Sequence, residues 1–166
     1  MTKEEYFFQE TNKHIRNVQL LMCEIIGDLL WRQRLHDVSK FDDDERFAFQ
    51  DVMPELGKVP YGSEEYKALL QKIRPAIDRH NRLNFHHPEN HISGIHGMTL
   101  MDLLEMLCDW IAASKRNPGG DVIDSIKKNQ NRFGYGDELS RILENTANHF
   151  YPASLLLEEH DKFVDR

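Results

Sequence analysis

Cysteine is scarce in this chain. Cys23 and Cys108 are the only two in 166 residues, and both lie in apolar helical segments. They read as small core residues of a protein kept in a reducing compartment. No apolar run approaches the roughly 18 residues of a membrane span, so a membrane partner is not expected. Met1-Thr2-Lys3-Glu4-Glu5 is acidic and lacks the basic and then apolar regions of a secretory signal, which makes the cytoplasm the expected location. Positive charge is also in deficit, with 21 Lys and Arg against 28 Asp and Glu and a pI near 5.7. Duplex nucleic acid wants a basic face and is excluded as an expected partner, whereas a small phosphorylated ligand held by a metal and a few cations is not. Strand-type alternation never persists, and no internal repeat or low-complexity linker is visible.

What the chain does have is helical periodicity. Hydrophobic residues make up 40% and charged residues 30%, a globular composition that suits one domain over residues 1–166. In residues 3–35, Phe7, Ile15, Val18, Leu21, Met22, Ile25, Ile26, Leu29 and Leu30 recur at helical spacing. His14 falls on the same stripe and is expected to face the core, and Gly27 is a candidate break into two helices. Asp42-Asp43-Asp44-Glu45 reads as a helix start capped by Asp42 or Ser39, with the helix carrying Phe47, Phe49 and Met53 and stopping near Pro54. Residues 56–63 read as a loop, and 63–81 as a helix kinked at Pro75. Thr99 and Asp102 form a capping-box signature opening a helix to about residue 116. That helix is apolar nearly all round, and its one polar stripe is Asp102, Glu105 and Asp109, either a solvent face or the lining of a polar cavity. Asn117-Pro118-Gly119-Gly120 is a turn, and helices are expected over 121–133, 138–150 and 152–164. The fold class expected is all-α.

Two stretches bear on chemistry. Arg34-Leu35-His36-Asp37-Val38-Ser39-Lys40-Phe41 places an imidazole beside a carboxylate where a helix ends. Neighbouring side chains on a helix point about 100° apart, but a backbone turn lets them converge, and both are ligands for first-row divalent metals. The plain alternative is a surface pair closing the helix. Residues 80–97 hold five of the nine histidines, His80, His86, His87, His91 and His96, in a segment with too many turn formers for a stable helix. Such a loop is either a polar surface or the donor set of a metal or acid–base site. A second dipeptide, His160-Asp161, sits among charges and reads as solvated surface. Tyr135, between Gly134 and Gly136, is a candidate cover for a pocket.

Taken together, His14, His36-Asp37 and Asp109 resemble the HD superfamily of metal-dependent phosphohydrolases. There a histidine from one helix, an adjacent His-Asp pair and a distal Asp hold a divalent cation in an all-helical bundle. His36 to Lys40 is similar to the His-Asp-x-Gly-Lys form of that superfamily, with Ser39 in place of Gly. A nearer resemblance is to a small phage and bacterial family with His-Asp-x-Ser-Lys-Phe, His-His-Pro-Glu and a late Asp-Trp, here His36 to Phe41, His86 to Glu89, and Asp109-Trp110. It covers residues 14–116.

The resemblance implies an HD-like helical bundle whose metal is held by His14, His36, Asp37 and Asp109. His80 and His87, with His86 as the alternative to His87, would add a second ion. Manganese, iron, cobalt, nickel or zinc would serve. Such an ion yields an acidified water and a polarised phosphoryl oxygen, so hydrolysis of a nucleotide or other small phosphate ester is the expected reaction. Asp37 would touch metal and water, and Lys40 would hold a phosphate oxygen. Lys115 and Arg116 are weaker phosphate candidates that equally suit the helix dipole. With a single metal, His87 and Glu89 become acid–base candidates. Two other expectations stand beside hydrolysis: a diiron oxygenase, and a non-catalytic binding or anti-defence module. For assembly, a homodimer is an expectation.

Overall fold

Thr2 starts the first helix. Its hydroxyl accepts the Glu5 amide at 3.1 Å while the Glu5 carboxylate accepts the Thr2 amide at 2.7 Å, a reciprocal cap that satisfies two otherwise orphaned donors. In the computed structural model, which describes residues 1–59, 62–116 and 120–151, the helix so begun, α1, runs unbroken over Lys3–Leu35. The break expected at Gly27 does not occur, since one interior glycine costs only about 1 kcal/mol and the Arg32–Asp28 pair bridges the turn that follows it. At 1.5 Å per residue α1 is about 50 Å long. None of its residues is buried, so His14 and Cys23 are exposed and not in a core as their apolar neighbours suggested. The chain divides into two compact units, Met1–Val38 and a second beginning at Ser39.

The second unit is helical throughout its described residues, with no strand. A short 3-10 turn at Val38–Phe41 leads to α2 (Asp43–Leu56), α3 (Glu64–Lys72) and α4 (Arg74–Leu83). Two further 3-10 turns, Pro88–Asn90 and Gly94–Gly97, precede α5 (Leu100–Ser114), α6 (Val122–Phe133) and α7 (Asp137–Phe150). Pro54 lies inside α2, which ends only at Leu56. Pro75 does not kink one long helix. It occupies the first turn of α4, where its missing N–H is one no helix would have used, so the stretch divides into α3 and α4. Among the described residues, no helix is long and apolar enough to cross a membrane. The turn at 117–119 and the helix expected over 152–164, with His160-Asp161, lie outside them.

Two packed layers make up the second unit. Met106, Leu107 and Ile111 of α5, Ile126 of α6, and Leu143 and Ala147 of α7 close a core with Ile95 and Tyr135. On the other side α2 packs against α3 and α4, burying Val52, Ile73 and Ala76 together with two polar groups, Glu45 and His80. Cys108 is on the exposed side of α5, not in the core; partial burial of its sulfur, then the charges of Glu105 and Asp109, push the thiol's pKa up.

Tyr135 is an anchor and not a pocket cover. Gly134 takes the left-handed conformation (φ 69°) that ends α6, and the chain then turns Tyr135 into the core, 4% exposed. Its hydroxyl donates to the Ile126 carbonyl at 2.6 Å. Burial, with the Glu144 charge second, pushes its pKa up to about 12. The ordinary value is about 10, so folding favours the neutral phenol. The contribution is whole below about pH 10 and is lost as pH rises through the folded value. Alkaline unfolding is therefore expected to remove about 2 kcal/mol across that window, and Tyr135→Phe to flatten it. An identical alkaline profile for the two proteins in urea titrations would rule this out.

Candidate metal centre

In the first unit, His36 caps α1, its N–H bonded to the Arg32 carbonyl at 2.8 Å. Asp37 then adopts φ 60°, and it is the one described non-glycine residue with positive φ. This conformation costs an L-residue roughly 1–2 kcal/mol, least for Asp and Asn. It turns the chain sharply and brings the Asp37 Oδ2 to 3.7 Å from the His36 Nε2. Adjacent side chains that would diverge on a helix thus converge at its end.

The second unit gathers imidazoles. His80, in the last turn of α4, is 4% exposed. Its Nδ1 lies 3.0 Å from Glu45 Oε2, and Ser39 Oγ and Asn84 Nδ2 are each 3.1 Å from the same nitrogen. A carboxylate can only accept, so Nδ1 carries the proton and donates to Glu45, which leaves the Nε2 lone pair facing inward. Glu45, fully buried, is satisfied on both oxygens: Arg79 Nη1 donates to Oε1 at 2.5 Å and Ser39 Oγ to Oε2 at 3.0 Å. Arg79 also approaches Asp42 and Asp44, and its hydrogen bond to Glu45, ahead of those neighbours, raises its pKa.

His86 and His87 follow α4 and lie just before the 3-10 turn Pro88–Asn90, which His87 caps. His86 is 2% exposed, and its Nδ1 sits 3.2 Å from Glu105 Oε1 on α5. The three rings of His80, His86 and His87 lie edge to face or tilted, with centroids 4.2 to 6.1 Å apart. One ring nitrogen of each lies within 4.8 Å of the others. The Nε2 atoms of all three are shielded from solvent.

The acidic stripe of α5 is not a solvent face. Asp102, 3% exposed, closes the capping box: Thr99 N and Oγ1 both donate to its Oδ2 at 2.7 Å. Glu105 braces His86. Asp109, partly buried, follows Glu105 by one turn on the same face.

Other candidates fall elsewhere. His14 and His36 lie on and at the end of one unbroken helix, so about 33 Å separates them and they cannot share an ion within one chain. Lys40 Nζ stands 5.7 Å from the Phe49 ring centroid, and Lys115 Nζ 3.9 Å from that of Tyr151. The Glu89 carboxylate accepts a hydrogen bond from Arg132 Nη2 at 2.7 Å in an exposed position, whereas the rings of His80 and His86 are buried. His91 Nε2 bonds the Phe85 carbonyl at 2.8 Å and holds the loop in shape, and His96 is exposed. Sequence reasoning passed over Glu45, Glu105 and the equal standing of His86. Glu105 was visible on the α5 stripe, but Glu45 looked like any acidic first-turn residue.

The donor set suits a transition metal. Imidazole nitrogens favour zinc, iron, nickel or cobalt over magnesium and calcium, which take oxygen. Histidine ligands characteristically donate their second N–H to a carboxylate, which orients the ring and raises its basicity. Glu45 and Glu105 stand in that relation to His80 and His86. A family described as "Family of unknown function (DUF5662)" matches residues 3–153. No curated protein and no solved structure matches the chain.

Proposed function

The chain belongs to DUF5662, a family of unknown function, so its activity has to be read from its own residues, and we propose that it is a metal-dependent hydrolase of small phosphate esters. The observation that carries this reading is the convergence of His80, His86 and His87 with carboxylates behind two of them. A divalent ion held there supplies an acidified water and a polarised phosphoryl oxygen. His36 and Asp37 enter the proposal through their motif and through their convergence within the first unit. The resemblance assigns Asp37 to metal and water, and Asp109 remains a candidate ligand because it shares the Glu105 face. His14 and Glu89 drop out, and Lys40 stays as a phosphate contact.

The test is hydrolysis of p-nitrophenyl phosphate and its bis-ester by protein whose metal has been quantified by elemental analysis. Activity is expected with manganese, cobalt, nickel, iron or zinc, abolished by chelator and restored by the ion. Asp37→Ala should lower kcat by about 100-fold or more, while Glu89→Gln should leave it unchanged. One ion per chain would assign a mononuclear site and two a dinuclear one. A fully loaded protein inactive on both esters would sink the hydrolase reading.

A further inference from the structure

α1 carries a second pattern inside its stripe. Phe8, Ile15, Met22 and Leu29 recur every seven residues, and Thr11, Val18, Ile25 and Arg32 repeat that interval three residues on. This is the a and d spacing of a coiled-coil seam, apolar at all positions but Thr11 and Arg32. Phe7, Leu21 and Ile26 widen it on its flanks. From Phe8 to Ile25 its large apolar members are exposed, from Val18 at 40% to Met22 at 56%. Isolated helices draw little stability from propensity alone, so a seam of this length needs a cover.

We propose that the cover is a second copy of this chain, paired through α1 in an antiparallel two-stranded coiled coil. The charges select both partner and direction. Glu4 and Glu5 occupy the first turn, Arg32 and Arg34 the last, so antiparallel copies lay each acidic end on the other's basic end and oppose the helix dipoles. One register then pairs the exposed middle of the seam: Val18 meets the partner's Met22 and Ile15 the partner's Ile25. Thr11 faces the partner's half-buried Leu29, and Phe8 the partner's Arg32, which is already bonded to Asp28 at 2.9 Å. Such a seam buries on the order of 800 Å² per chain, the size of a standard stable interface. A membrane surface fits less well. Glu4, Glu5, Glu10, Glu24 and Asp28 balance Lys3, Lys13, Arg16, Arg32 and Arg34, whereas interfacial helices carry a basic polar face. The proposal is independent of the metal chemistry.

Sedimentation equilibrium of the full chain at micromolar concentration tests it. A species of twice 19.6 kDa is expected for the unaltered protein. Val18→Glu should weaken association by about 100-fold, since it puts a carboxylate into each half of the apolar seam. A monomeric unaltered protein overturns the proposal by itself, whether or not the variant folds, and means that the seam is covered otherwise. A Val18→Glu protein that still dimerises with full affinity overturns it too, since the dimer then uses another surface. Mixed under oxidation in a Cys23→Ser background, Ile15→Cys chains and Ile25→Cys chains should crosslink to each other. Crosslinking of each variant only to itself overturns the antiparallel direction.

Discussion

Alanine in place of His86 is expected to lower the affinity for a divalent ion by about 100-fold or more, the largest effect of any single substitution at the imidazole cluster. His86 is 2% exposed, its Nδ1 is tied to Glu105, and its ring lies beside that of His87. Removing it deletes a donor and leaves Glu105 a carboxylate without its imidazole. Glu105→Gln keeps the ring and removes only its charged brace, so a loss of about 10-fold to 100-fold is expected, the range seen for partners behind a metal ligand. His91→Ala, whose ring bonds a backbone carbonyl, should leave affinity unchanged while loosening the loop. Equilibrium dialysis against zinc or manganese, with circular dichroism on the same samples, reads the series. If His86→Ala bound the ion as tightly as the unaltered protein, the cluster would be structural and the proposed chemistry would have to move elsewhere.

Glu45→Ala is expected to destabilise the protein by about 3 kcal/mol with metal absent, because removing a fully buried acid takes the acceptor away from every group that donates to it. Glu45 is fully buried, and three groups donate to it: Arg79, Ser39 and the His80 Nδ1. Alanine would leave the Arg79 guanidinium with only the long contacts to Asp42 and Asp44 and would remove the group that fixes the His80 tautomer. In a chain of this size the melting temperature should fall by about 10 °C. Urea unfolding in chelator separates this loss from any contribution of bound metal. Combining Glu45→Ala with Arg79→Ala should recover part of it, because the guanidinium left without its main acceptor is then removed as well. Additive losses would show that Arg79 and Glu45 are not energetically coupled, and no loss in the single variant would mean that the site relaxes around the missing acid.

His86 and Glu45 differ in how far the chain itself reveals them. His86 was visible as a member of a histidine-rich stretch, and only its rank against His87 was open. Glu45 had the appearance of an acid placed for the helix dipole, and nothing near it in the chain marks it as the partner of Arg79 and His80, which lie 34 and 35 residues away. Glu105 lay between these cases: the α5 stripe was plain, but its inward orientation depends on what packs against it. His14 failed for a local reason. Its ligand role needed the chain to fold back between it and His36, and Gly27 does not interrupt α1.

What the sequence by itself determined is therefore the set of local structures. The all-α class, the Thr99–Asp102 cap, and the α6 and α7 boundaries either side of the Gly134–Gly136 turn all follow from periodicity and from hydrogen bonds spanning four residues or fewer. The turn that makes His36 and Asp37 converge belongs to the same set, because it too is written in consecutive residues. Only the tertiary structure decided that Tyr135 anchors a core and that His80, His86 and His87 meet with Glu45 and Glu105 behind them. Those outcomes rest on contacts between residues tens of positions apart. Such contacts cost loop closure, are stabilised by burial, and leave no repeating pattern in the chain.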